Sequence, residues 1–328
     1  MPGGFGARGD AMLSRTAENL FWVGRYMERA ETAARLLAVG ARNAMIPNMA
    51  GGYRNEWESV LAAAGSNVAF REKYGEAVQR NVESFLFFDE ENPSSVASCI
   101  GRARENGRIV RTALTTQVWD ALNGGFQEMR EMRRTERSKL EIDELIDWTM
   151  RQSALTRGSI EATQMRNDGW DFVHLGYALE RADATARLLD VKYFVLLPQV
   201  DYVGSGLDTY QWRTILRAAS AHRAFAWAYG GDITPLKIAD FLILNRKSPR
   251  SLIACAEDAA DHLDRLARGY GRSTDAQTQI RALVAELSEA RVEDIFDEGL
   301  HEFLMRFVSS IARLTGTIHD VYLSGEAR

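Results

Sequence analysis

Cysteine is almost absent. The chain has two among its 328 residues, Cys99 and Cys255, too far apart in sequence for a metal knuckle and too few for a disulfide framework, so both read as reduced core thiols. Proline is sparse, at six residues, and stretches of alternating β-branched residues are few. A turn-rich β fold is therefore excluded, and long stretches of Ala, Leu, Arg and Glu at helical spacing predict an all-α protein. Histidine numbers five, with no zinc spacing. A carboxylate-bridged di-iron bundle needs two Glu-x-x-His elements. Glu298 with His301 is one and Asp171 with His174 only a loose second, so neither metal nor cofactor is expected. Nucleophile-elbow, phosphate-loop and dinucleotide motifs are also missing.

No run approaches the ~20 apolar residues of a membrane span, and the opening MPGGFGARGD has no apolar segment of the secretory kind. These absences predict a cytoplasmic protein that does not engage a membrane. Excess positive charge is lacking too: the formal net charge of −5 argues against a general nucleic-acid binder. The basic stretch Arg130 to Lys139 is interleaved with Glu131 and Glu136 and preceded by Glu128, which reads as a solvated helix face carrying its own ion pairs.

What is present is enough apolar material for a full core, at 46%, and an internal match. GRYMERAETAARLLAV, residues 24–39, aligns without gaps to GYALERADATARLLDV, residues 176–191, with nine identities in sixteen positions. Trp57, Val60, Leu61, Ala63 and Ala64 answer Trp212, Ile215, Leu216, Ala218 and Ala219. FLFFDEENPSSVASC from Phe85 answers FLILNRKSPRSLIAC from Phe241, with the prolines, the serines Ser95 and Ser251, and the two cysteines superposed. A spacing near 150 residues is far beyond solenoid repeats, so the pattern predicts two duplicated half-bundles, 1–165 and 166–328, related by a pseudo-twofold within one compact domain.

Helices are expected over Leu13 to Asn43, around 55–65 and 70–87, from Pro93 to Leu122, from Glu141 to Met165 and again from Gly169, with Thr274 to Ala290 as an inserted helix. Asn123-Gly124-Gly125 reads as a helix stop, the Pro47 region as the end of the first helix, and 196–208 as an irregular connection.

The repeated Glu-Arg element is the sharpest site candidate. Glu28 and Arg35 lie two helical turns apart on one face, as do Glu180 and Arg187, with small residues between them that permit close helix approach. An antiparallel crossing predicts Glu28 against Arg187 and Glu180 against Arg35, a structural lock. Arg25, Arg29 and Arg181 add guanidinium groups suited to carboxylate or phosphate, so the same residues form a candidate pocket for an acidic small molecule or peptide. Arg104, Arg108 and Arg111 are secondary candidates, at steps of four and three.

Beyond these features, MLSRTAENLFWVGRYMERAETAARLL (12–37), ENPSSVASCIGRARENGRIVR with WDALN, HLGYALERADATARLLDVKY and FLILNRKSPRSL resemble blocks of the bacterial Alpha-E family. The resemblance covers nearly the whole chain. Ser14, Arg15, Asn19, Trp22, Arg25, Glu28, Arg29 and Arg35 match its pattern, with Glu180, Arg181 and Arg187 in the second copy. Tyr177, Ala178 and Gly107 depart from it. The resemblance implies association with ATP-grasp-like amide ligases and transglutaminase-like proteins, hence an accessory or binding role in making or modifying peptides. The rival readings are an enzyme with Glu28 or Glu180 as acid/base and a purely structural scaffold. A Glu packed among arginines has its pKa lowered, the wrong direction for a strong base.

Overall fold

The computed structural model describes residues 12, 14–45, 56–196 and 206–324, with the side chains of 193–196 and 206–208 outside that description. The Pro47 region and most of the 196–208 connection lie outside it. The described residues are helical, with no strand among them.

Two long helices form the centre: α1 (Ser14–Ala44) and α8 (Asp168–Leu196). Between them come α2 (Glu56–Ala63), α3 (Asn67–Tyr74), α4 (Gln79–Glu83), which continues as a π-helical turn through Phe88, α5 (Val96–Ile109), α6 (Thr116–Arg134) and α7 (Ile142–Thr163). After α8 follow α9 (Gly206–Ala218), α10 (His222–Tyr229), α11 (Pro235–Ile243), α12 (Leu252–Tyr270), α13 (Asp275–Glu289), α14 (Val292–Glu298) and α15 (Leu300–Ile318). Helices α5 and α7 pack on α1, with α6 joining them; α12 and α15 pack on α8, with α13 joining them. In addition α2 reaches across to α8, and α9 reaches across to α1.

α1 and α8 run in the same direction. Met12 N donates to the Asp168 carboxylate at one end (2.9 Å), Arg29 pairs with Glu180 in the middle, and Tyr210 of α9 reaches the Arg42 carbonyl near the far end. Their closest approach is at two glycines. A Cβ on Gly24 would run into the Val173 carbonyl oxygen, and one on Gly176 into the Phe21 carbonyl oxygen, so only glycine lets these backbones touch. The antiparallel crossing expected from sequence is thus corrected: the helices are parallel, and contact is set by the glycines rather than by the small residues at 32–34 and 184–186.

Two boundaries also differ from expectation. The helix expected from Pro93 ends at Ile109, because Val110, Thr112 and Thr115 are β-branched and weaken the helix there and Thr115 caps a new helix, its hydroxyl accepting from Val118 N (3.4 Å). Asn123 to Gly125 lies inside α6 and is no stop. Gln152 of α7 packs directly over Gly125 and donates to the Ala121 carbonyl (2.6 Å), so that glycine serves helix packing.

Serine caps open two matched helices: Ser95 accepts from Ser98 N and Ser251 from Ala254 N. One turn into each sits a buried cysteine, Cys99 Sγ 3.8 Å from the Pro93 carbonyl and Cys255 Sγ 3.9 Å from that of Pro249. Burial pushes both thiols up to about 12. They are inert core groups, as expected.

Candidate functional site

One turn beyond the glycine contact, the Glu-Arg pair of α1 meets the Glu-Arg pair of α8. Glu28 accepts from Arg181 and Glu180 accepts from Arg29. This exchange is how the parallel geometry uses the motif. Arg35 and Arg187 instead pair four residues back on their own helices, with Glu31 and Asp183. The expected Glu28–Arg187 and Glu180–Arg35 pairs are therefore not formed.

The two exchanges have different surroundings. Around Glu28 the space is filled. Its Oε2 accepts from Arg181 Nη2 (2.9 Å) and Arg157 Nη2 (3.1 Å), and its Oε1 lies 2.9 Å from Arg250 Nη1 as an ion pair. Glu31 accepts from Arg157 Nη2 (2.7 Å), Ser153 Oγ (2.8 Å), Arg35 Nε (3.1 Å) and Arg250. Arg35 also donates to the Ala218 carbonyl and to Ser220 Oγ (3.0 Å). Glu28 has no exposed surface. Burial alone would raise its pKa, but Arg181, Arg250 and Arg157 outweigh that and hold it well below the usual carboxylate range. Glu31 is raised by burial and by Glu28, yet Arg250, Arg35 and Arg157 bring it below its ordinary value. The void left among Arg35, Leu188 and Arg250 is about 10 Å³.

Around Glu180 the matched space is open. Glu180 accepts from Arg25 Nε (2.6 Å) and from Arg29 Nε (2.6 Å) and Nη2 (3.1 Å); Asp183 accepts from Arg187 Nε (2.6 Å) and Nη2 (3.2 Å). Burial raises the Glu180 pKa, and Arg25 and Arg29 more than reverse it. Trp22 lies under the Arg25 and Arg29 guanidiniums, 5.3 and 5.9 Å from their carbons, fixing both by cation–π contact. Beside these groups is a cavity of about 430 Å³ with Arg25, Arg29, Arg187, Glu180, Asp183 and Ser94 on its polar side. Leu36, Leu86 and Ile311 are on its apolar side.

All seven primary candidates are thus brought together at the α1–α8 contact: Glu28, Arg35 and Arg181 in the filled cluster, and Arg25, Arg29, Glu180 and Arg187 in the open one. The secondary group is elsewhere. Arg104 and Arg111 flank Trp119, at 5.4 and 5.5 Å, while Arg108 forms an exposed pair with Glu105 (2.5 Å). The basic stretch mostly pairs locally, Arg134 with Glu131 and Lys139 with Glu136, while Arg133 reaches Glu90. Asp171 is engaged by His262 Nδ1 (2.8 Å) and Arg265 Nε (2.7 Å) rather than by His174. Among the described residues no three His, Cys, Asp or Glu side chains converge as metal ligands, and no helix is long and apolar enough to cross a membrane.

Glu31, Arg157, Asp183, Arg250 and Ser94 were not singled out from sequence. For the last two a signal existed. Between the superposed Pro93/Pro249 and Ser95/Ser251, the matched residue is Ser94 in one copy and Arg250 in the other.

The chain is 22% identical over 325 residues to uncharacterised proteins of Mycobacterium bovis and Mycobacterium tuberculosis, covering 94% of this chain and 36% of each relative. It therefore spans about a third of the length of these curated relatives. No solved structure matches it. Residues 12–323 match the model of a family described as a predicted alpha-helical domain with a conserved ER motif. The Glu-Arg pairs exchanged between α1 and α8 fit that description, and the chain belongs to the Alpha-E family.

Proposed function

We propose that this protein is a non-catalytic binding module, an accessory to ATP-grasp-like peptide or amide ligation, that engages a ligase or its acidic peptide through the open charged cavity between α1 and α8. The observation that carries the reading is a cavity whose carboxylates are already paired and whose lining still has guanidinium groups in excess, three against two. Such a surface recognises anions; it does not move protons. Glu28 and Glu180 are both held below the ordinary carboxylate value, which disfavours the enzyme reading because a general base at neutral pH needs a value raised toward 7. The ligase enters through the family resemblance, which also associates these proteins with transglutaminase-like partners, and a cytoplasmic location belongs to the same proposal. The curated relatives support a modular role in a limited way: most of each relative lies outside the match, so there the domain works joined to further chain.

The scaffold reading is favoured for one part of the molecule. Glu28 and Glu31 sit in a filled cluster with four arginines, and we assign that cluster to locking two duplicated halves about a local twofold. Halves 1–165 and 166–328 then act as one domain, since each supplies charges to the other.

The test is affinity purification of tagged protein from its native host, wild type beside Arg187→Gln, with bound proteins and small molecules identified by mass spectrometry. Recovery of an ATP-grasp-like ligase with wild type, and its loss with the rim variant, is the expected result. Recovery of neither ligase nor transglutaminase-like protein defeats the accessory role.

A further inference from the structure

The filled and open clusters are built from matched positions, so the residues that differ between them decide what the open one takes. In the filled cluster the side chain of Arg250 enters from the start of α12, and Arg157 enters from α7. At the start of α5 the matched residue is Ser94, which stops at the cavity wall, and α15 contributes Ile311, Ala312 and Thr315. The result is about 430 Å³ of space on one side against about 10 Å³ on the other.

That space is not a vacancy for a missing cation. Arg25 stands where the other half has Tyr177, and it supplies Glu180 with the second guanidinium that Glu28 receives from Arg157 and Arg250. With Glu180 and Asp183 both paired, what is left over is donors. Arg25 bonds Glu180 through Nε, while Arg29 and Arg187 use Nε and Nη2 on their carboxylates. Arg187 Nη1 faces Gly65, at the position where Arg35 Nη1 finds the Ser220 hydroxyl. Leu36, Leu86 and Ile311 are also among the lining residues.

We propose that this cavity binds an amphipathic anion, its carboxylate or phosphate group on the unused N–H groups of Arg25, Arg29 and Arg187 and its apolar body along Leu36, Leu86 and Ile311, and that Ser94 is the residue that keeps the cavity open. This names the ligand class of the binding reading above and rests on it.

The experiment uses the full chain and four probes of six carbons each, hexanoate, hexyl phosphate, hexanamide and hexylamine, titrated at low salt and followed by NMR. Hexanoate or hexyl phosphate binds, with affinity falling as salt rises; the tighter of the two identifies the headgroup, and neither hexanamide nor hexylamine binds. Ser94→Arg occupies the cavity as Arg250 occupies the filled cluster, its guanidinium taken up by Glu180 and Asp183, and the lost volume weakens the anion by about tenfold or more, whereas Ser94→Ala leaves it bound. If Ser94→Arg does not fold, Arg187→Gln on the rim carries the test with the same expected loss. Hexylamine binding as well as hexanoate, no binding by any probe, or full binding by both Ser94→Arg and Arg187→Gln overturns the proposal. The probes report on the cavity alone, so failure to find a ligase leaves this result standing, and failure of the probes leaves a ligase interface elsewhere to be sought.

Discussion

The Glu28 and Glu180 clusters differ less in their carboxylates than in what stands behind them. Each Glu accepts the arginine that follows the other Glu in sequence. Behind Glu28, Arg157 and Arg250 complete a desolvated network; behind Glu180 there is space and a rim arginine, Arg187, whose side chain is 36% exposed. The proposed roles thus give one repeated Glu-Arg motif two uses, a lock on one side and a receptive surface on the other, and the two sides differ in the side chains that surrounding helices bring to them.

The largest expected effect comes from removing the charge at the centre of each cluster. Glu28→Gln leaves Arg181, Arg157 and Arg250 without their shared buried partner and costs about 3–5 kcal/mol of stability by chemical denaturation. Glu180→Gln costs less, since Arg25 and Arg29 turn toward a cavity that solvent can enter. Equal losses would erase the distinction between lock and receptive surface.

Next in size is Arg250→Ser, which gives the filled cluster the residue found in the open one. It should lose about 2 kcal/mol, the scale of hydrogen bonds to a charged group. Methylguanidinium at roughly 10 mM should return part of the melting temperature to this variant and none to wild type. A variant as stable as wild type would mean that Arg250 does not close the cluster.

The substitution with the smallest effect at neutral pH separates the clusters from a neighbour on α8 by their pH windows. Glu28 and Glu180 have pKa values depressed below 4.5 in the fold, so the stability they contribute is full above that value and is lost as pH falls through the acid range. His174 is depressed from 6.5 to about 3, by burial and then by His262. Below 6.5 the unfolded chain therefore binds the extra proton and stability falls with pH, by at most about 1.4 kcal/mol per unit. His174→Gln should flatten the slope between pH 6.5 and about 3, leaving below 4.5 only the loss that comes from the carboxylates. An unchanged slope would assign that window to other groups.

Much of the fold was legible because α1 and α8 carry long apolar stripes and a gapless match, and their extents were read to within a residue or two. The Glu-Arg positions were legible as a group for the same reason. Their pairing was not: sequence spacing alone does not say whether two matched helices run parallel, and it is the successive contacts Met12–Asp168 and Arg29–Glu180 that fix the direction. Arg157 left no signal, since it lies on α7 amid ordinary helix-surface residues. Arg250 is masked by what the two Pro-x-Ser triplets share; their middle residue, Ser94 or Arg250, is one of the places where the two clusters differ. The break at Val110 to Thr115 is hidden by the helical periodicity that continues across it, and only the β-branched Val110, Thr112 and Thr115 mark it.

The parallel course of α1 and α8 also has a meaning in time. Glu28 leaves the ribosome 153 residues before Arg181, and Glu31 leaves 219 residues before Arg250. At ordinary rates of synthesis the acidic face of α1 therefore waits on the order of ten seconds or more for its partners. Until then α5, α6 and α7 can cover only part of it, with Arg35 already beside Glu31 and Arg157 the next cation to arrive. The centre of this molecule is the part that the growing chain finishes late, and a nascent chain halted before Arg250 is left with an unfinished core.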